Sequence, residues 1–488
     1  MSVLYILLLN VALAAVSFVP VKHVLHVFQQ NRYEPFRMRE WIRKQKIGYE
    51  EIMLWGGKNI VWLLLVAISV KSTFGWIVHA AVITLTSVLL FMNEKKKHYI
   101  KPLVVTARVK RQIATLAVLY LLINTALARL LPRWLHPLLF VLDPLLAWGL
   151  VFLMFYINEP IEAAVRKHFM DQARSILNNS PFLIKIGITG SYGKTSTKNI
   201  VQAVLSSHYY SLMTPASFNT PLGITRVVRE DLKPIHETFV CEMGADKVGD
   251  IDELMHFVHP GYGMVTSIGP QHLNTFGSLE NIIREKMLMI EELDRDGVGF
   301  INCDNEYIRN YDIKNTCKVV RCGISCEDVD YRAVDIEFKA LGTSFAVVHN
   351  EERYPFETKL LGEYNVSNIL LAIALGRELN ISWSELQKAV ASIEKIEHRL
   401  ELKKINGFTF IDDAFNANPV GSEMSLNVLS RMEKDRWIVT PGMIDLGEKE
   451  EEINYAFGQK MLNKADKVIL VGPRQTEPIY RGLKDSGF

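Results

Sequence analysis

The sequence predicts a helical membrane domain followed by two α/β domains, and three observations support this fold class. The apolar residues of the 488-residue chain are concentrated in its first third. From about residue 180 onward, short β-branched runs alternate with helical periods, as in parallel βαβ units. A glycine-rich loop joins one of these strands to a helix. Because a chain of this length exceeds one hydrophobic core, we expect several domains.

Apolar runs in the first third are candidates for membrane-spanning helices, which need roughly 20 mostly apolar residues. They cover residues 3–28, 60–70, 74–92, 113–131 and 138–157. The first run lacks the basic start and the small-residue cleavage site of a signal peptide, so we expect a retained anchor. The prediction is a transmembrane domain of about five helices over residues 1–158, followed by an amphipathic linker helix over residues 159–180.

Basic residues predict the orientation of this domain, because they accumulate on the cytoplasmic side of membrane proteins. They form two clusters, at Arg32, Arg37, Arg39, Arg43, Lys44 and Lys46, and at Lys95, Lys96, Lys97, Lys101, Arg108, Lys110 and Arg111. Both clusters, and the chain after residue 158, are therefore expected in the cytoplasm of a multi-pass cell-membrane protein. The clusters either only set the topology or also bind membrane lipids through an anionic or diphosphate headgroup.

Charge and cysteine content narrow the function classes. A net charge of +2 gives no general reason to expect a nucleic-acid partner. The five cysteines lie between Cys241 and Cys326, in a region expected to be cytoplasmic, so a disulfide framework is not predicted. The last four lack the paired C-x₂-C spacing of zinc sites, which favours reduced thiols over zinc ligands.

The glycine-rich segment is predicted to bind phosphate. A strand over residues 182–188 runs into Thr189-Gly190-Ser191-Tyr192-Gly193-Lys194-Thr195-Ser196, and a helix follows. Small residues let backbone N–H groups turn toward an anion at a helix N-terminus. Lys194 could bridge the terminal phosphates of a nucleotide, and the hydroxyl of Thr195 or Ser196 could hold Mg²⁺. Ile188 stands where the standard motif has its first glycine.

Downstream segments test what kind of phosphate-binding protein this is. Their order and spacing run as Phe218-Asn219-Thr220-Pro221-Leu222-Gly223, Glu242-Met243-Gly244-Ala245, Gln271-His272-Leu273, Arg284-Glu285-Lys286, Gly362-Glu363-Tyr364-Asn365, Glu397-His398-Arg399-Leu400, Asp412-Asp413-Ala414-Phe415-Asn416 and Gly442-Met443-Ile444-Asp445-Leu446-Gly447. Together with the loop, this set resembles the Mur ligase family, the ATP-dependent amide-forming enzymes of peptidoglycan precursor synthesis. The resemblance covers about residues 182–482 and is strongest to the branch that adds D-alanyl-D-alanine to the muramoyl tripeptide.

The resemblance implies ATP and Mg²⁺ as cofactors and assigns roles to single residues. Catalytic roles fall on Lys194, His272, Lys286 and Arg399. Metal binding falls on Thr195, Glu242, His272 and Lys286, the lysine being carbamylated in related ligases. Nucleotide binding falls on Thr189, Gly190, Ser191, Gly193, Lys194, Thr195 and Ser196, with Asn365 and Arg399 contacting ATP and with Asp413 and Asn416 completing the closed site.

The resemblance also implies a domain plan. A central P-loop ATPase domain is expected over residues 181–396 and a Rossmann-like C-terminal domain over residues 397–488. The chain ends before the last strands of that domain in the family, so we expect the domain to be incomplete. Three departures leave the acceptor open: Tyr364 replaces a histidine, Thr220 replaces an asparagine, and His398 stands where glycine is common.

The function hypothesis is a membrane-embedded ATP-dependent ligase of cell-wall precursor synthesis. An acyl phosphate on the precursor would be captured by the amine of an amino acid or a dipeptide. Residues 1–158 show no βαβ alternation typical of a UDP-binding module, which favours a lipid-linked precursor over a UDP-linked one. Two alternatives remain: a membrane polyglutamate or capsule-type synthetase, and a noncatalytic, nucleotide-sensing membrane scaffold.

Overall fold

The computed structural model describes residues 3–45, 92, 102–132, 135–339, 342–414, 417–432, 435–444 and 446–488. The chain divides into two compact units, Met1–His168 and Phe169–Phe488. The domain limits predicted at residues 158, 180 and 396 are finer than this division and stay predictions.

The described part of the first unit is helical. It contains α1 (Val3–Gln30), α2 (Pro35–Gln45), α3 (Ala107–Leu130) and most of α4 (His136–Asn178). The two segments Ile6–Ala15 and Ser17–Gln30 of α1 meet at an angle of 50°. Pro20 explains a bend at this place, because its ring displaces the carbonyl four residues earlier and offers no N–H to it.

Polar contacts join α3 to α4 inside this unit. Arg111 donates two hydrogen bonds to the buried Glu162 carboxylate, at 2.7 and 2.9 Å. Thr115 donates to Asn158 Oδ1 at 2.7 Å. A bidentate arginine–carboxylate pair fixes the relative orientation of two helices as well as neutralising the buried charge.

One described helix, Ala107–Leu130, has the length and apolar composition needed to cross a membrane. The described chain offers a second such helix if the bent pair in α1 forms one span. The predicted spans 60–70 and 74–92 lie outside the described residues, apart from residue 92, and the predicted span 138–157 lies within α4. A transmembrane domain of five helices therefore stays a prediction.

The second unit is built on a nine-stranded sheet. Its strands are β1 (Ile184–Thr189), β2 (Ser211–Met213), β3 (Thr238–Glu242), β4 (Tyr262–Val265), β5 (Val298–Asn302), β6 (Lys318–Gly323), β7 (Tyr331–Lys339), β8 (Gly342–His349) and β9 (Glu352–Thr358). The order is β2-β3-β1-β4-β5-β6-β7-β8-β9, with parallel pairs from β2 to β7 and antiparallel pairs beyond β7. β1 lies between β3 and β4, so its carboxyl end is flanked by the ends of both neighbours.

Helices cover both faces of the sheet. They are α5 (Lys194–Leu205), α6 (Pro221–Glu230), α7 (Asp250–Val258), α8 (Leu273–Phe276), α9 (Leu279–Glu291), α10 (Glu306–Arg309), α11 (Glu363–Glu378) and α12 (Trp383–Ser392). One core packs α5, α11 and α12 on the sheet, and the other packs α6, α7 and α9 on the opposite face. α11 is buried nearly all round, because its run from Ile369 to Leu375 is continuously apolar.

The C-terminal part begins with a β-hairpin and continues as βα units. The hairpin strands are β10 (Glu401–Ile405) and β11 (Phe408–Asp412), and the parallel pair is β12 (Trp437–Thr440) with β13 (Lys467–Leu470). The helices are α13 (Pro419–Leu429), α14 (Glu450–Lys460) and α15 (Pro473–Ser486). Asn418 caps α13 by accepting a hydrogen bond from the Gly421 amide at 2.9 Å.

The runs that the alternation pattern marked as strands are strands in the structure, from β1, β3, β4 and β5 to β12 and β13. The antiparallel meander β7–β9 and the hairpin β10–β11 were not predicted. Since the carboxyl ends of β1, β3, β4 and β5 lie at one edge of the sheet, the loops that follow them form a common surface.

Candidate active site

The loop between β1 and α5 has the shape of an anion-binding cradle. Gly190 and Gly193 have positive φ angles of 147° and 85°. A Cβ on Gly190 would lie 2.2 Å from Thr266 Oγ1, and one on Gly193 would lie 2.4 Å from the Tyr364 hydroxyl oxygen. Both glycines are therefore required by backbone conformation and by close neighbours.

Hydrogen bonds from the end of β4 fix the loop. The Ser191 amide donates to Ser267 O at 2.6 Å, and the Ser191 hydroxyl donates to Gly269 O at 2.9 Å. The Thr266 hydroxyl donates to Tyr192 O at 2.6 Å. These contacts hold the loop against the segment that follows β4.

Lys194 begins α5 and turns back over the loop. Its ammonium donates to Gly190 O at 2.7 Å and to Ser191 O at 3.2 Å. Burial lowers the pKa of Lys194, and the neighbouring charges of Glu242 and Asp246 oppose this shift. A phosphate bound in the loop would therefore contact the Lys194 ammonium.

The other predicted loop residues surround Lys194. The Thr189 hydroxyl donates to Met243 O at 2.9 Å and so links β1 to the segment after β3. Thr195 is half-buried and Ser196 is buried, both in the first turn of α5. Asn199 donates to the Thr195 carbonyl at 2.7 Å. The metal-binding role of the Thr195 hydroxyl stays a prediction.

Glu242 is the last residue of β3, and only 1% of it is exposed. Its Oε1 accepts a hydrogen bond from Asn219 Nδ2 at 3.0 Å. Among the described residues, its buried Oε2 accepts no hydrogen bond. The ammonium of Lys198 lies 3.2 Å from Oε2 as its ion-pair partner. A buried carboxylate beside a phosphate-binding loop fits the hard oxygen donors that Mg²⁺ prefers.

His272 and Lys286 meet the short segment that follows Glu242. Lys286 Nζ donates to Ala245 O at 3.2 Å, and His272 Nε2 lies 3.5 Å from Asp246 Oδ1. Burial, with the nearby charge of Lys194, lowers the pKa of Lys286 to about 7. Lys286 is therefore an amine that is largely neutral just above pH 7, which an exposed lysine is not.

Arg399 is close enough to Lys194 for its charge to lower the pKa of that lysine. Burial lowers the pKa of Arg399, and the neighbouring charges of Asp413 and Glu242 oppose this shift. Asp413 accepts hydrogen bonds from Ser425 Oγ at 2.7 Å and from the Leu400 amide at 3.4 Å, and burial raises its pKa. Asn365 donates to Leu361 O at 2.8 Å in the first turn of α11. Asn416 lies outside the described residues.

Several features of the site were not predicted. A cavity of about 390 Å³ opens beside Tyr192, with Asn305 on one wall and Pro419 on another. Asn305 follows a buried strand. This position in the sequence is the feature that could have marked it as a site residue. Asp246, next to His272, could have been marked in the same way, because it also follows a buried strand, β3. Lys198 lies four residues after Lys194, hence on the same face of α5.

A fixed loop at the end of a central parallel strand, a lysine over it and a buried carboxylate beside it define a P-loop nucleotide-binding α/β protein. The Mur ligase middle domain matches residues 188–376, and the Mur ligase glutamate ligase domain matches residues 398–487. The chain therefore belongs to the Mur ligase family.

Individual relatives agree with this assignment. Over 291 residues the chain is 31% identical to the UDP-N-acetylmuramoyl-tripeptide–D-alanyl-D-alanine ligase of Bacillus subtilis, covering 59% of this chain and 62% of that one. It is 26% identical to the Escherichia coli ligase of the same name, covering 59% and 64%. The chain thus spans less than two thirds of the length of these relatives.

Solved structures share the fold. MurF from Acinetobacter baumannii superposes with a TM-score of 0.61 at 24% identity, covering 65% of this chain and 69% of that one. MurF ligase from Thermotoga maritima, solved in complex with ADP, gives a TM-score of 0.60 at 24% identity, covering 64% and 72%. At this identity the likeness shows the fold of the second unit.

Proposed function

We propose that the protein is an ATP-dependent ligase that joins a carboxylate to an amine in cell-wall precursor synthesis. The proposal rests on charges that gather around the P-loop lysine: Glu242 and Arg399 both influence the pKa of the buried Lys194, and Lys194 in turn lowers the pKa of Lys286. A protein that only senses a nucleotide does not need cations beyond the loop. A protein that transfers the γ-phosphoryl group does, because oxyanions crowd there.

The names of the relatives supply the substrate class. They are ligases for UDP-N-acetylmuramoyl-tripeptide and D-alanyl-D-alanine. We assign the same reaction type here: a muramoyl-peptide carboxylate as the acyl donor, and the amine of an amino acid or of D-alanyl-D-alanine as the acceptor.

The reaction would proceed in two steps. A carboxylate oxygen of the peptide attacks the γ-phosphorus of ATP, the bond to the β–γ bridging oxygen breaks, and ADP leaves. The amine then attacks the acyl carbon, phosphate leaves with the former carboxylate oxygen, and the amine nitrogen loses a proton. The P-loop amides and Lys194 would hold the phosphates, and the planar fork of Arg399 would follow the transferred group.

The residues fit Mg²⁺ as cofactor, because Glu242 Oε2 is buried without a hydrogen bond in the described chain. Glu242, Thr195 and His272 would hold the metal, whose chemistry is to offset phosphate charge. Lys286 cannot bind a cation as an ammonium. A neutral amine can add CO₂ and become a carbamate, and the lowered pKa of Lys286 makes that reaction accessible near neutral pH.

The direct test is ATP turnover by the full-length, detergent-solubilised protein with UDP-muramoyl tripeptide, with and without D-alanyl-D-alanine or single amino acids. We expect ADP release that depends on both substrates, and its loss in Lys194→Ala. Lys388→Ala, an exposed lysine on α12, is the matched control. Turnover with amino acids alone would favour a capsule-type synthetase. Nucleotide binding without turnover would favour a sensing scaffold.

We further propose that the ligase is a multi-pass membrane protein that acts on a lipid-linked precursor at the cytoplasmic leaflet. The support is the sequence: apolar runs and basic clusters occupy residues 1–158, where βαβ alternation is missing. Cysteines introduced near residues 72 and 133 should react with an impermeant reagent from outside. Those near residues 96 and 168 should react only after permeabilisation, and reversed labelling would refute the orientation.

The lipid proposal has its own kinetic test. With the full chain, ligation should be faster on the undecaprenyl-linked muropeptide than on its UDP-linked counterpart. Replacing Arg39, Arg43 and Lys44 together should raise KM for the lipid-linked substrate only. Equal rates on both substrates, with no change in the triple variant, would mean that the first unit serves only as an anchor.

A further inference from the structure

Lys198 is a buried charge to which the proposed reaction assigns no role. It lies on α5, one turn after Lys194, and only 1% of it is exposed. Lysine is almost never fully buried unless it is paired, because taking an ammonium out of water is costly. A lysine in this place therefore requires specific partners.

The partners of Lys198 are a carbonyl and the carboxylate of the candidate metal ligand. Its ammonium donates to Ala216 O at 2.5 Å and lies 3.2 Å from Glu242 Oε2. The two side chains form a buried ion pair whose geometry falls short of a hydrogen bond. Lys198 thus stands at the Glu242 oxygen that would face a metal ion and offsets its charge.

A purely structural ion pair is the simpler reading, but it does not explain this geometry. A buried pair is weak evidence for stability, because the desolvation of both ions offsets their attraction. A pair selected for stability would also be expected to be hydrogen-bonded. Here the carboxylate is hydrogen-bonded at the other oxygen, by Asn219 at 3.0 Å, and the oxygen facing Lys198 is held by the ion pair alone.

We propose that Lys198 is a positioning residue that takes the place of the metal ion as counter-charge to Glu242 and makes metal binding depend on nucleotide. The inference rests on the proposed function, since it takes Glu242 as a metal ligand. Lys198 Nζ lies 3.2 Å from Glu242 Oε2, so the charge of the carboxylate is already balanced. Without nucleotide, a divalent cation therefore gains little by binding there. The phosphates of a bound nucleotide add the negative charge that lets the cation enter.

Mn²⁺ titration of the full-length, nucleotide-free protein, followed by electron paramagnetic resonance, tests this. Lys198→Met keeps the length and removes the charge, and should bind Mn²⁺ at least about tenfold more tightly than the unmodified protein. Lys198→Arg keeps the charge and should bind weakly, like the unmodified protein. Lys388→Met is the control for loss of a lysine elsewhere. Unchanged or weaker Mn²⁺ binding in a folded Lys198→Met protein would overturn the proposal.

A second measurement keeps the proposal testable if Lys198→Met does not fold. The unmodified protein without nucleotide should bind Mn²⁺ with a Kd above about 1 mM, in the range of weak oxygen-ligand sites. Tight binding there would refute the role of Lys198 without any variant. The two proposals also fail separately: missing ATP turnover refutes the ligase, whereas normal turnover with tight metal binding in the nucleotide-free protein refutes only this inference.

Discussion

The two halves of the candidate site are held in different ways. Glu242 ends a strand, and Lys194 begins the helix after one, in a nine-stranded sheet with a large core on each face. Arg399 and Asp413 flank a two-stranded hairpin backed by small clusters, among them Leu361, Leu400 and Val428. The first half is therefore expected to keep its geometry by itself, whereas the second depends on docking against the first.

Two glycines show how closely the nine-stranded part and the C-terminal part pack. A Cβ on Gly362 would lie 2.9 Å from Met424 Sδ, and one on Gly447 would lie 3.2 Å from Asn274 Oδ1. Each contact joins the nine-stranded part to the C-terminal part. Close approach of the two parts brings Arg399 to the loop and would exclude water from an acyl phosphate. Substitutions in the first half should thus abolish ATP turnover altogether. Substitutions in the second half should slow phosphoryl transfer and leave nucleotide binding intact.

The largest effect is expected in the first half. Lys194→Ala and Glu242→Ala should each lower the ligation rate by about 10³. The first removes the cation that would hold the phosphates, and the second removes the carboxylate that would hold Mg²⁺. Secondary structure by circular dichroism should stay unchanged in Lys194→Ala. A rate within threefold of the unmodified protein, in either variant, would place the chemistry elsewhere in the chain.

A smaller effect is expected in the second half. Arg399→Ala should lower kcat by about 10² while the Kd for ADP changes little, since Arg399 acts on the transferred group rather than on the loop. Arg399→Lys should recover only part of the rate, because lysine lacks the planar fork. The control is Arg353→Ala, an exposed arginine on β9. If Arg399→Ala weakens ADP binding as much as it slows turnover, the difference between the halves disappears.

Lys286 gives a pH-dependent prediction for the first half. Burial lowers its pKa to about 7, so the amine is mostly neutral above that pH and mostly charged below it. Only the neutral amine adds CO₂, so carbamate formation from ¹³C-bicarbonate, measured by NMR, should be about tenfold lower at pH 6 than at pH 8. Lys286→Ala should show no carbamate signal and should regain part of its activity with acetate. A signal that is equal at both pH values would contradict the assigned pKa.

How much of the site the sequence could predict depends on how far apart along the chain the contacting residues lie. Lys194 was predicted because the strand, its loop and the helix after it are local features, whereas Glu242 was assigned its role through the resemblance. Lys286 was reached only by resemblance, since its contact with Ala245 joins residues far apart in the chain. Lys198 was missed because a helix lysine is normally exposed, and its burial depends on Ala216 and Glu242 closing over it. In the strands β7–β9, buried and exposed residues alternate as they also can in parallel strands at a sheet edge. The sequence pattern therefore could not show that these strands pair in antiparallel fashion.

The smallest effect is expected at His398, where the two parts meet. Its φ of 57° is left-handed, which explains why glycine is common before the site arginine. His398→Gly should relieve about 1 kcal/mol of backbone strain. It should lose a similar amount through the entropy of the unfolded chain and through the half-exposed contact with Asp412 at 2.8 Å. His398→Ala keeps the strain and loses the contact, but it does not have the added unfolded-state entropy of glycine. By thermal unfolding it should therefore be less stable than His398→Gly by about 0.5 kcal/mol, the strain minus the entropy cost. If His398→Ala proves the more stable of the two, the left-handed conformation at this junction carries no strain, and the glycine preference there must reflect motion between the two parts.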